Sequence, residues 1–72
     1  MKYFIILKNE QGETFINIPL VKKLHPQSTT EFYFKGKCYT YMKTEYMAEE
    51  VKDVGESIMV VTSVTYVFGK GN

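Results

Sequence analysis

Eleven consecutive residues, Ile58 to Phe68, constrain what this chain can fold into more than any other stretch. Seven of them are Ile, Val, Tyr or Phe and three more are Thr or Met. These β-branched and aromatic types suit a pleated, half-buried surface better than a helix. The run is long enough to pair with two neighbouring strands, with Ser63 a natural place for a bend. A strand of this kind needs partners, and the rest of the sequence offers them.

Tyr3 to Lys8 is a short apolar run, greasy on both faces, as expected of a central strand. The cluster Asn9-Glu10-Gln11-Gly12 follows, with glycine where a turn calls for positive φ. Glu13 to Ile18 resumes as a strand with Thr14, Ile16 and Ile18 on one face and Phe15 and Asn17 on the other. Together these segments predict a β-hairpin. Pro19 gives no ladder N–H and is expected to end that strand. Leu20, Val21 and Leu24 then suit one helical turn, stopped by Pro26. Gln27-Ser28-Thr29-Thr30 is a polar loop.

Glu31 to Lys35 alternates again, Gly36 marks a turn, and Lys37 to Lys43 returns. Register decides the surface here, because a one-residue slip moves every side chain to the opposite face. A two-residue Lys35-Gly36 loop puts Phe32, Phe34, Tyr39 and Tyr41 on one aromatic core face. A three-residue loop with Gly36 in the left-handed region instead lines up Tyr33, Tyr39 and Tyr41.

Residues 45–54 admit two readings. Thr44 can cap a short helix that carries Met47, Val51 and Val54 as its buried stripe, with Gly55 after its last turn. Alternatively the preceding strand runs on through Tyr46 and an acidic loop follows. Residues 69–72 are expected to fray. The expected fold is mainly β, a single domain over residues 1–72. Five antiparallel strands would curl into an SH3-like or similar small barrel, with or without the short helix at 45–54.

Composition narrows the function. With 72 residues, one cysteine and one histidine, the chain offers neither a disulfide framework nor a zinc site of Cys/His type. Lone Cys38 suits a reducing compartment, and the apolar start is shorter than a secretory h-region, so a cytoplasmic location is expected. No run approaches the length of a membrane span. Net charge is +1, but residues 1–44 hold seven lysines against three acids while residues 45–72 hold two lysines against five acids. The lysine-only basic set and the absence of tryptophan resemble small proteins of AT-rich bacteria and their phages.

No catalytic constellation is evident. Cys38 and His25 form the sole Cys/His pair, and no third residue orients them. Glu45, Glu49 and Asp53 would share one stripe on a helix but lack the oxygen-rich loop a hard cation needs. Gly69-Lys70-Gly71 precedes no helix, so it is not a phosphate loop. The expectation is a protein without cofactor or catalysis. Tyr33, Lys35, Lys37, Tyr39, Tyr41 and Lys43 form the candidate binding surface, for a protein partner or a second copy of the chain. Aromatics beside lysines also suit single-stranded nucleic acid as the alternative partner. Absent arginine and near-neutral charge weaken that alternative.

Overall fold

The computed structural model describes residues 1–70. Five strands carry the chain: β1 (Lys2–Lys8), β2 (Thr14–Leu20), β3 (Glu31–Phe34), β4 (Lys37–Asp53) and β5 (Glu56–Lys70). They form one sheet in the order β2-β1-β5-β4-β3, curled into a half-barrel. The mainly β architecture matches the expectation, with one difference in pairing. β1 lies parallel to β5, from Lys2↔Ser63 to Lys8↔Gly69, so the sheet is mixed rather than purely antiparallel. Parallel neighbours need a long connection. Here the whole of β2, β3 and β4 lies between them in sequence.

The first hairpin forms as expected. Asn9 Oδ1 accepts hydrogen bonds from the backbone N–H groups of Gln11 and Glu13 at 3.0 and 2.9 Å, and Gly12 takes φ +79°. Pro19 does not end β2; it sits inside it, opposite Phe4. β2 is an edge strand, so the missing N–H faces away from the ladder and costs no pairing. The helical turn expected around Leu20–Leu24 is absent too. β2 and β3 are the two edges of the sheet, so residues 21–30 must cross the open side of the half-barrel between them.

That crossing is pinned by one buried side chain. The Tyr66 hydroxyl accepts from the Leu24 N–H at 3.0 Å and donates to the Leu24 carbonyl at 3.1 Å. Below it lies the core of Ile5, Leu7, Tyr39, Val64, Tyr66 and Phe68, with Ile16, Ile18, Phe32, Phe34 and Tyr41 packed around it. Phe68 meets Phe32 and Tyr41 at ring separations of 5.8 and 5.7 Å, within the range of favourable tilted aromatic pairs. A bulge in the β1–β2 ladder brings Phe15 to Tyr39, 5.9 Å between centroids, which helps curl β2 over the core.

The helix reading of 45–54 is overturned, and so is the acidic loop. β4 continues unbroken to Asp53 and pairs with β5 from Tyr39↔Lys70 to Asp53↔Glu56. A ten-residue helix is marginal alone, whereas the facing run in β5 supplies a complete ladder of hydrogen bonds. Gly69 and Lys70, expected to fray, close the same strand; residues 71–72 lie outside the described residues. β1 reaches only as far as Ser63 on one side of β5. Beyond that point β4 and β5 leave the body as a two-stranded arm. The radius of gyration is 14.8 Å, against about 11 Å for a compact chain of this size.

Candidate protein interface

The six residues singled out from the sequence do not share a surface. Lys35 and Gly36 both take positive φ, +51° and +77°, forming a two-residue turn between Phe34 and Lys37. This twist matches that of the flanking strands and fixes the aromatic-core register. Tyr39 is therefore buried at 4% exposure and Tyr41 is half-buried against Phe68. Tyr33 points the other way, at 70% exposure. The tyrosine triad is thus dispersed. Lys35 lies with its Nζ 5.5 Å from the Phe34 ring centre. Lys37 and Lys43 are both exposed, Lys37 on the aromatic face and Lys43 opposite Val67.

Beside Tyr33 sits Cys38, its register partner. The Cys38 thiol donates to Glu31 Oε2 at 2.7 Å, and the Tyr33 hydroxyl donates to the same oxygen at 3.1 Å. Cys38 thus bonds to a carboxylate rather than to His25, which lines a cleft at the base of the arm. The Glu31 carboxylate raises the thiol pKa above its usual 9.0, while the hydrogen bonds it receives from the thiol and from the Tyr33 phenol lower its own below 4.5. A nucleophilic cysteine needs the reverse. Glu31→Gln is expected to speed alkylation of Cys38 by iodoacetamide at mildly alkaline pH by roughly two- to fivefold. An unchanged rate would show that the carboxylate does not hold the thiol protonated.

Glu10 and Lys70 form the ion pair that ties the first turn to the end of β5, 2.6 Å apart. Lys70 chiefly lowers the Glu10 carboxyl, as the thiol and phenol do for Glu31. Both groups favour the fold above the ordinary carboxylate value of 4.5, and that support is lost as pH falls through their lowered values. The acids of the arm stand apart. Four positions apart in sequence, Glu45, Glu49 and Asp53 are spaced about 13 Å along a strand, too far to share an ion. No cluster of three metal-ligating side chains occurs among the described residues.

The arm is where the sequence reading missed apolar surface. Tyr46, Met47, Val51, Val54, Ile58, Met59, Val60 and Val61 are all exposed, by 36% to 95%. Cross-strand pairing sorts them. Val51, Ile58 and Val60 share one face with Glu49, Asp53 and Glu56, while Ala48, Met59 and Val61 share the other with Glu50, Lys52 and Ser57. A bulge between Met47 and Ala48 marks the root, where the Thr62 hydroxyl donates to the Met47 carbonyl at 3.3 Å. At the tip Val54 and Gly55 take φ +49° and +80°. This turn type favours Asn-Gly, and a β-branched residue there is a genuine outlier. Val54 is nonetheless 95% exposed, with no packing to hold it.

The arm is also charged. Residues 45–61 carry five acids against Lys52 alone, net −4, leaving +5 on the remaining residues to give the chain its +1. At the root of the arm an open cleft of about 470 Å³ is floored by Tyr3, Leu24, Pro26 and Val64 and rimmed by Lys23 and His25. No carboxylate lines it among the described residues. No described helix is long and apolar enough to cross a membrane. Comparison with protein-family models, with curated proteins and with solved structures found no match to this chain.

Proposed function

We propose that this protein is a small non-catalytic interaction module of the cytosol, and that the β4–β5 arm is the part that binds. The observation that supports this reading is the arm's unpartnered apolar surface. A two-stranded ribbon is marginal by itself in water, and this one carries eight large apolar side chains in the open. Over its two faces they amount to on the order of 800 Å², similar to what one partner contributes to a standard interface. The unpaired outer edges of β4 and β5 add backbone groups able to extend the sheet into a partner.

The lone thiol bonded to Glu31 fits a reducing compartment. Single-stranded nucleic acid is the weaker alternative, since stacking needs open rings and Tyr39 and Tyr41 are packed into or against the core. The test is excision of residues 48–61, with Met47 joined to Thr62 through an Asn-Gly turn. All seven buried apolar residues among those described lie outside that segment, so the body is expected to keep its cooperative unfolding. Any partner held by the full chain should be lost. Equal capture by the full and excised chains would overturn the reading.

A further inference from the structure

The tip of the arm and the cleft at its root are complementary, yet they cannot meet within one molecule. The tip presents Val54 at its apex, flanked by Asp53 and Glu56. The cleft presents an apolar floor beneath Lys23 and His25, with Lys22 next in sequence. One is an apolar knob with an acidic collar and the other an apolar hollow with a basic rim. Tyr46 and Val61 at the arm's root form part of the cleft wall. The tip lies eight residues further on, about 27 Å away along an extended strand. A rigid ribbon holds its own tip away from its own cleft.

We infer that a second copy of this chain fills the cleft, each arm tip docking at the root of the other's arm in a closed two-fold dimer. This rests on the arm being the binding element. Three observations favour a second copy over a different partner. Both halves of the contact are present on one chain with opposite charge, Asp53 and Glu56 at the tip against Lys23 at the cleft and Lys22 beside it in sequence. Two arms laid antiparallel are necessarily equal in length, so seating one tip brings the other to its cleft, which is how a two-fold interface closes. Val54 keeps an unfavourable backbone conformation while packing against nothing in its own chain. Such strain persists where a contact requires it.

The decisive experiment is sedimentation equilibrium on the full chain, with charge-reversed variants mixed pairwise. Wild type is expected to reach twice 8.4 kDa at micromolar concentration and to dissociate more readily at high salt. Asp53→Lys/Glu56→Lys makes tip and cleft both basic, and Lys22→Glu/Lys23→Glu leaves the cleft without its lysines and as acidic as the tip's collar. Each variant alone is expected to dimerise at least roughly tenfold more weakly. Mixed, the two restore both contacts and should form a heterodimer. Val54→Asn suits the turn and should raise the melting temperature of the monomer while weakening the dimer.

A wild-type chain that stays monomeric at hundreds of micromolar overturns the inference. So does a mass that grows past two copies, or a mixture no tighter than its components. Wild-type sedimentation decides the matter even if a variant misfolds. A monomeric chain whose arm still captures another protein would sink the dimer and leave the interaction module standing. A dimer that survives excision of 48–61 would sink both.

Discussion

Replacing Phe68 with alanine is expected to cost about 3–5 kcal/mol of folding free energy, the usual range for deleting a buried phenyl ring. Phe68 is 1% exposed and sits where three strands converge. Leu7 of β1 lies beside it in parallel register, Tyr41 of β4 beside it in antiparallel register, and Phe32 of β3 packs on its ring. Removing the ring therefore leaves a void bordered by separate parts of the sheet, which cannot all collapse into it. For 72 residues, typical stabilities of 0.05–0.15 kcal/mol per residue give a total of roughly 4–11 kcal/mol. The variant should lose a large share of that, and urea unfolding would show its midpoint displaced or its native baseline gone. Phe15→Ala is the control. Phe15 is half exposed and contacts the core through Tyr39, so its loss should be clearly smaller. A Phe68→Ala midpoint within error of wild type would mean that the half-barrel does not pack around this residue.

The second large effect is expected from removing a single oxygen. Tyr66→Phe keeps the buried ring, which is 2% exposed, and deletes the hydroxyl that bonds both the N–H and the carbonyl of Leu24. Two backbone groups of the 21–30 crossing then lose their partner, at a cost of about 1–3 kcal/mol depending on how far water reaches them. The effect should be local as well as global. Hydrogen exchange at the Leu24 amide is expected to accelerate far more than at the β1 and β5 amides, because the crossing can open while the sheet stays paired. Uniform acceleration across the sheet would instead mean that Tyr66 supports the fold as a whole rather than the crossing. Because Leu24 and Tyr66 both line the arm-root cleft, the same variant should also loosen that cleft.

Local chemistry made part of this legible in advance. The β1–β2 hairpin followed from Asn9 and Gly12, and the β5 strand from its density of Ile, Val, Tyr and Phe. The turn at Gly36 was clear, but its register was open, since Lys35-Gly36 admits two- and three-residue loops with similar local chemistry. That ambiguity carried into the candidate surface. Alternation alone makes Tyr33 exposable, but it cannot separate Tyr39 and Tyr41 from it without the turn length, and the two-residue turn directs both inward. In the arm, Gly55 between two apolar stretches was a hairpin signal. It was obscured because Glu45, Ala48, Glu49 and Glu50 favour helix, and Met47, Val51 and Val54 happen to recur at helical spacing.

The sequence by itself determined that the chain is mainly β, that turns fall at Gly12 and Gly36, and which aromatics are available for a core. These depend on neighbours a few residues apart, where side-chain type and turn chemistry act directly. Only the tertiary structure decided that β1 lies parallel to β5, that Pro19 is harmless at an edge, and that 45–54 is strand. The first two depend on how distant strands are ordered in the sheet, and the third on the run just past the Val54-Gly55 turn. β5 offers β4 a hydrogen-bonding ladder along its whole length, and that cross-strand gain outweighs the helical preference of the acidic segment. The arm and its exposed apolar faces exist because β4 and β5 are longer than the sheet available to cover them.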